Sequence, residues 1–324
     1  MMGTTADKLN KLLETKAAIR KAIADKGVEV GDDVVFADYP TKIAAIETGS
    51  GEVANPYYEE LFNLRTNNGT NMKGLFYYCS ASDLDLRGLD VSAVTNMAYM
   101  FDYCTSNVNV EGWDTSKVTN TERMFNYFTG SIDLSKLDFS SVTNVNYMFN
   151  SASINGINLT GLNFPNATSF NYLFNGAEGD LLDLSSWDIS NITTMTYMFY
   201  SAKFKKIDLT GWKTTNVTDM STMFSSYSSN MTELIIPDWD MTNTTSYKSF
   251  FNSGSSYHKD LMLIDLSKSN DITITKIVST LPTRTTTTFG KVIIPSDSSQ
   301  DAINALIAKY WKPVGPRLDM TSCK

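Results

Sequence analysis

Six short segments of the chain alternate apolar, polar, apolar, and a seventh at the same repeat position is apolar throughout: Leu84-Asp85-Leu86, Val108-Asn109-Val110, Ile132-Asp133-Leu134, Ile157-Asn158-Leu159, Leu182-Asp183-Leu184, Ile207-Asp208-Leu209 and Leu234-Ile235-Ile236. Period-two alternation sends the outer pair of each to one face and the middle residue to the other, which predicts strands with one buried face. Interleaved with them are relatives of Val94-Thr95-Asn96-Met97-Ala98-Tyr99-Met100-Phe101. Here Val94, Met97, Met100 and Phe101 fall at helical spacing, which predicts one or two turns of helix with Thr95 as a candidate N-cap. The closing aromatics stand at Phe76, Phe101, Phe125, Phe149, Phe174, Phe199, Phe224 and Phe251, at intervals of 25, 24, 24, 25, 25, 25 and 27 residues. A fixed beat of this length marks a solenoid, in which each coil buries its apolar side only against its neighbours. Between strand and beat lies a corner: Trp113-Asp114, Leu137-Asp138, Trp187-Asp188 and Trp239-Asp240. Its apolar member points inward and its acid can bond turn backbone.

The beat weakens after Phe224, where Lys213 has already replaced the usual acid and Thr244-Thr245-Ser246-Tyr247 replaces the apolar pattern. Further strands are predicted at Leu261–Leu266, Ile272–Ile277 and Lys291–Ile294. A helix over Ser296–Lys309 follows, with Ala302, Ile303, Leu306 and Ile307 inward, Tyr310 and Trp311 closing it and Pro313 stopping it. It reads as a C-terminal cap. Upstream, residues 5–26 predict a helix whose Leu9, Leu12, Lys16, Ile19 and Ile23 follow the 3-4-3-4 seam of a coiled coil, interrupted by Lys16. Gly27 ends it, Val28–Phe36 reads as extended, and a short helix spans Thr41–Glu47 behind Pro40. Thr48-Gly49-Ser50-Gly51 is a linker, and Pro56–Arg65 reads as an amphipathic helix capping the first coil, whose open edge would otherwise template aggregation. The predicted organisation is a helical docking or oligomerisation segment (1–47), a linker with N-cap helix (48–70), the repeats (71–255), and terminal strands with a C-cap helix (256–324). The fold class expected is a mixed α/β repeat solenoid of about 25 residues per coil, with an N-terminal helical anchor and helical caps.

Composition narrows function. The chain of 324 residues is 42% hydrophobic, enough for a long core, but only 19% charged. Ser, Thr and Asn fill the polar positions. The net charge of -8 argues against nucleic-acid partners, which call for a basic face. No apolar run reaches the ~18 residues of a membrane span, and Met1 to Ala24 mixes charge throughout, unlike a secretory signal. Cys79 and Cys104 stand three residues after successive repeat phenylalanines and should be stacked neighbours. They read as buried free thiols, although adjacent strands would allow a bond. Together with Cys323 they make no disulfide framework. The sequons at Asn158, Asn166, Asn191, Asn216 and Asn243 recur at repeat positions and read as repeat chemistry, not glycan sites.

Stacking turns each outward position into a row. The strand row Asp85, Asn109, Asp133, Asn158, Asp183, Asp208 could be a cation or sugar-hydroxyl ladder, but alternating acid and amide more simply describes a solvated face. Tyr99, Tyr147, Tyr172 and Tyr197, interrupted by Arg123, form an aromatic row, with a second cluster at Tyr77, Tyr78, Tyr103 and Tyr127. Tyrosine gives rigid amphipathic contact area, so these residues are the candidate ligand-binding face, with ring faces available for sugars. The plainer reading is tyrosine half-buried between coils. Met97, Met100, Met124, Met148, Met195, Met198, Met220 and Met223 read as core. The lone His258, the absence of metal-ligand spacing, and the absence of phosphate-loop or nucleophile-elbow motifs point to a non-enzyme with no cofactor or metal. A regular row also gives every carboxylate the same environment, whereas acid-base catalysis needs two unlike ones.

Two resemblances follow from these residues. "LSSWDISNITTMTYMF" (Leu184 to Phe199) is the clearest copy of a pattern, over residues 71–255, that resembles the BspA-like leucine-rich repeat of mycoplasma, gut-bacterial and protist surface proteins. It implies the solenoid fold and says little of function. "KLNKLLETKAAIRKAIADKGVEVGDDVVFADYPTKIAAI" resembles a segment at the start of tailed-bacteriophage virion proteins, including tail-fibre and head-fibre components. It implies docking to other virion proteins, or homo-oligomerisation through Leu9, Leu12, Ile19 and Ile23, on the particle surface. The expectation is therefore a phage virion protein that attaches to a host glycan or protein. The alternatives are a capsid-decorating protein without receptor, a solenoid polysaccharide depolymerase, and a bacterial cell-surface adhesin.

Overall fold

The computed structural model describes residues 70–225, 231–251, 263–281, 290–309 and 311–314. The chain winds as a parallel β-solenoid. Each coil contributes one short strand: β1 (Asp83–Asp85), β2 (Asn107–Asn109), β3 (Ile132–Asp133), β4 (Ile157–Asn158), β5 (Glu178–Asp183), β6 (Lys203–Asp208), β7 (Glu233–Ile235) and β8 (Leu263–Asp265). Helix α1 (Asp271–Thr280), β9 (Gly290–Ile293), helix α2 (Gln300–Ala308) and β10 (Trp311–Val314) complete it. All neighbours pair in parallel, in two sheets ordered β1-β2-β3-β4 and β10-β9-β8-β7-β6-β5. The second sheet runs on past residue 255 to β10, so no sheet boundary falls where the repeat signature ends.

The beat is the core. Rings of Phe76, Phe101, Phe125, Phe149, Phe174, Phe199, Phe224 and Phe251 stack one above another, with successive centroids 5.2–5.9 Å apart. On the strand side, Leu84 lies against Val108, Val108 against Ile132 and Ile132 against Ile157, all buried. The 24- and 25-residue intervals reconcile in one leg. Phe76 to Leu84 and Phe149 to Ile157 span eight residues, whereas Phe101 to Val108 and Phe125 to Ile132 span seven. The spare residue sits between the phenylalanine and strand stacks and leaves both in register. All eight methionines of the row are buried, as core packing requires.

The stretch expected to be helical is not a helix. The amides of Met97, Tyr99, Phe101 and Tyr103 donate to Asn120, Glu122, Met124 and Asn126 in the next coil. Those of Met100, Asp102 and Cys104 donate three residues back, to Met97, Tyr99 and Phe101. Alternate residues thus close β-turns, and the rest bond between coils. Consecutive turns reproduce the i, i+3, i+4 spacing of buried residues, which is why the pattern mimicked a helix. Thr95 is no N-cap; its hydroxyl donates to the Thr70 carbonyl at 3.1 Å.

A second correction concerns Ile272–Ile277, expected as a strand. The alternation of Asp271-Ile272-Thr273-Ile274 is overridden by Asn270, whose side chain accepts from the Thr273 amide at 2.8 Å and caps α1. Thr273, Ile274, Ile277 and Val278 then form one buried helical face. Helix α2 is shorter than expected and capped by Ser299, with Ala302 and Leu306 buried but Ile307 exposed, not inward. Trp311 does not close that helix; it is buried in β10, which also takes in Pro313. The predicted elements over residues 1–65, with Leu9, Leu12, Lys16, Ile19 and Ile23, lie outside the described residues, as do His258 and Cys323.

Candidate functional site: tyrosine rails and an asparagine ladder

Three turn positions recur along the coils, and in most coils an Asx residue sets each by accepting the amide two residues on. Asp133 accepts from Ser135 at 2.9 Å, Asp138 from Ser140 at 2.8 Å and Asn144 from Asn146 at 3.2 Å, and the same contacts recur from coil to coil. The acids of the corners and of the strand row are therefore turn formers. Threonines such as Thr119 and Thr143 donate to the equivalent carbonyl of the preceding coil. The side-chain amides of Asn166, Asn191, Asn216 and Asn243 also donate to the preceding coil, to the carbonyls of Ser140, Pro165, Ser190 and Thr215. The low charge of the sequence follows: much of its polar inventory is bonded to backbone.

The tyrosines occupy a conformation that L-residues avoid. Tyr99, Arg123, Tyr147, Tyr172 and Tyr197 all have φ between 55° and 60°, as the second corner of a turn with reversed φ requires. Gly74 precedes them in this row at φ 64° and Thr222 follows at 61°. Because the backbone repeats, the side chains stack. Tyr147 lies 4.4 Å from Tyr172, and Tyr172 lies 4.6 Å from Tyr197, within 10° of parallel. The Arg123 guanidinium fills the gap, 5.6 Å from the Tyr99 ring and 4.7 Å from that of Tyr147, and Lys73 Nζ covers Tyr99 at 4.9 Å. Four residues further along each coil a second rail forms, in which Tyr78, Tyr103 and Tyr127 stack at 4.6 and 4.4 Å. Tyr77 packs edge-on against Tyr78 at 4.4 Å. Tyr78 and Tyr127 are the most exposed large aromatics described, at 53% and 43%. The structure brings together Tyr99, Arg123, Tyr147, Tyr172 and Tyr197 in one rail, and Tyr103 and Tyr127 in the other. Facing rings within each rail cover one another, which leaves ring edges and hydroxyls toward solvent along its length.

Beside the second rail, and missed in the sequence, runs a buried polar ladder. Asn126 donates to Asp102 at 2.7 Å, Asn150 to Asn126 at 2.5 Å and Asn175 to Asn150 at 2.6 Å. Asp102 and Asn126 are each 2% exposed. Burial pushes the Asp102 carboxyl up to about 6, against the pull of Asn126 and Arg123. Burial also raises the Tyr77 phenol, to about 12, with the neighbouring Tyr78 and Asp102 adding to it. The signal was available: the position after the four consecutive beat phenylalanines Phe101, Phe125, Phe149 and Phe174 reads Asp102, Asn126, Asn150, Asn175.

The strand row faces a shallow groove of about 630 Å³ over β1–β4. Asn158 donates to Asp133 at 2.9 Å and Asn107 to Asp83 at 3.1 Å across coils, while Arg87 holds Asp85 through two contacts of 2.8 and 2.6 Å. The Arg87 contact keeps the Asp85 carboxyl below its ordinary range, and the Ser135 amide does so for Asp133. The row carboxylates are thus held differently, Asp85 by a guanidinium and Asp133 by a turn amide and Asn158. Among the described residues no group of His, Cys, Asp and Glu could hold a metal ion, and no helix is long and apolar enough to cross a membrane. Cys79 and Cys104 are both free and buried.

Residues 52–161 and 168–277 each match the family model described as "Mycoplasma protein of unknown function, DUF285". These spans make up more than half of the chain, which therefore belongs to that family, a BspA-like repeat family in agreement with the stacked coils. No curated protein and no solved structure matches the chain.

Proposed function

We propose that this member of the DUF285 family is a non-enzymatic virion protein of a tailed bacteriophage, a tail-fibre or head-fibre component that attaches to a host-surface glycan or protein. The observation that carries the attachment reading is the pair of tyrosine rails. They hold aromatic edges and hydroxyls at fixed coil spacing on a rigid core, and a preorganised surface loses little entropy on binding. The placement on a particle rests on the resemblance of residues 9–46 to phage fibre segments. Docking through Leu9, Leu12, Ile19 and Ile23 would set several copies side by side, and such display turns weak single contacts into firm attachment.

A second reading, a solenoid polysaccharide depolymerase, draws on Asp102. Its raised carboxyl differs from the row carboxylates, and serving as an acid would require the coil to open and bring this buried group to the substrate. The distinguishing experiment has two arms. Negative-stain microscopy of particles with a labelled antibody to this chain should decorate the particle surface. Purified protein should be retained by host cells or their polysaccharide and release no reducing ends. Unlabelled particles and no retention would sink the proposal, and released reducing ends would favour the depolymerase.

A further inference from the structure

Cys79 and Cys104 occupy one register position on adjacent coils. Each stands three residues after a beat phenylalanine, and those two rings stack at 5.4 Å. The backbones are tied on either side of the pair. Tyr78 donates to the Asp102 carbonyl and Thr105 to the Cys79 carbonyl, both at 2.9 Å. Adjacent strands lie about 4.8 Å apart, inside the range of Cα separations that a disulfide spans. The Cys79 sulfur is surrounded by donors: the Cys104 thiol, the Ala81 and Ser80 amides, and the Ser106 hydroxyl at 3.6 Å. Both residues are wholly buried.

We infer that Cys79 and Cys104 form an oxidisable dithiol that closes, under a small peroxide, into a disulfide clip between the first two described coils. The donors around Cys79 favour its thiolate, while the neighbouring Cys79 sulfur and then burial hold Cys104 as the thiol. The Cys79 thiolate attacks the peroxide. An S–O bond forms, the O–O bond breaks and one water leaves, carrying the added proton. Cys104 sulfur then attacks the sulfenic sulfur. The S–S bond forms, the S–O bond breaks, and the hydroxyl leaves as a second water with the Cys104 proton. Two thiols are oxidised and one peroxide is reduced to two waters. Both sulfurs are wholly buried, so a small uncharged peroxide is the oxidant that a transient parting of the coils would admit. The consequence is mechanical: a covalent tie between these two coils opposes their parting.

The test uses the full chain carrying Cys323→Ser, so that only this pair reacts. Limiting hydrogen peroxide should remove two hydrogens from the intact mass and join the peptides containing Cys79 and Cys104. Amide exchange at Gly74, Phe76 and Tyr78, which donate to coil-two carbonyls, should slow by about tenfold or more. With Cys104→Ser added, dimedone should trap a sulfenic acid at Cys79; with Cys79→Ser, Cys104 should stay unmodified. Free thiols that persist in the folded protein would overturn the inference. So would over-oxidation of Cys79 without a link, or a link that leaves exchange at those amides unchanged.

Discussion

Asp102→Asn should make the protein more stable at neutral pH and leave it nearly unchanged in acid. Asp102 is the first rung of the buried ladder, and the next rungs are asparagines that each donate one side-chain amide to the coil before. Burial raises its carboxyl from 3.8 to about 6. A folded-state value above the unfolded one favours the protonated form. Its contribution is fully present below about pH 4 and is lost as pH rises through 6. Two units at 1.36 kcal/mol each amount to about 3 kcal/mol between those limits. Asparagine does not titrate, and its carbonyl can still accept from Asn126. Its own amide, turned toward the coil of Tyr77, offsets about 1 kcal/mol if it finds no partner. The net gain at pH 7 is about 2 kcal/mol, falling toward or slightly below zero at pH 4. Repeat arrays need not unfold in one step, so the readout should be local. Hydrogen exchange at Phe101, Tyr103 and Phe125, compared between the two proteins at each pH, measures it. A difference flat in pH, or a variant less stable at pH 7, would refute the reasoning.

Three further outcomes are expected. A Cβ on Gly130 would lie 1.8 Å from the Ser106 carbonyl oxygen, so Gly130→Ala should cost at least about 3 kcal/mol in urea unfolding, whereas Gly88→Ala, with nothing within 4 Å, should stay within about 0.5 kcal/mol. Thr222 holds φ 61° with a β-branched side chain, so Thr222→Gly should raise stability by about 0.5–1 kcal/mol, visible as a higher unfolding midpoint. Tyr172→Ala removes ring contacts on both sides, at 4.4 and 4.6 Å, and should cost about 1–3 kcal/mol by the same assay while weakening retention on host cells.

The architecture was legible because burial repeats. The phenylalanine interval and the alternating triplets placed both inner stacks, and the register between coils followed. The turn backbone was not legible. Met97, Met100 and Phe101 are buried at a spacing that a helix and a run of linked turns produce alike, and only the hydrogen-bond partners separate them. Asp271–Thr280 shows the opposite failure, in which a capping asparagine and one buried face outweigh a strand-like alternation. Of the site, the tyrosine rows were visible as rows, but their left-handed φ and mutual stacking were not, since periodicity fixes position and not ring orientation. Asp102 escaped notice because one polar residue beside a buried phenylalanine reads as surface until its neighbours in the next coils are lined up beneath it.

Spacing between equivalent threonines would test the stacking most directly. Thr119, Thr193, Thr218 and Thr245 share one row, and Thr119, Thr218 and Thr245 each hydrogen-bond to the coil before. Spin labels at Thr119 paired with each of the other three, in a chain whose cysteines are serine, can be read by pulsed electron paramagnetic resonance. Distances that grow by about 4.8 Å for each added coil are the result expected of stacked coils. Distances that bear no relation to the number of intervening repeats would contradict the solenoid and the rails built on it.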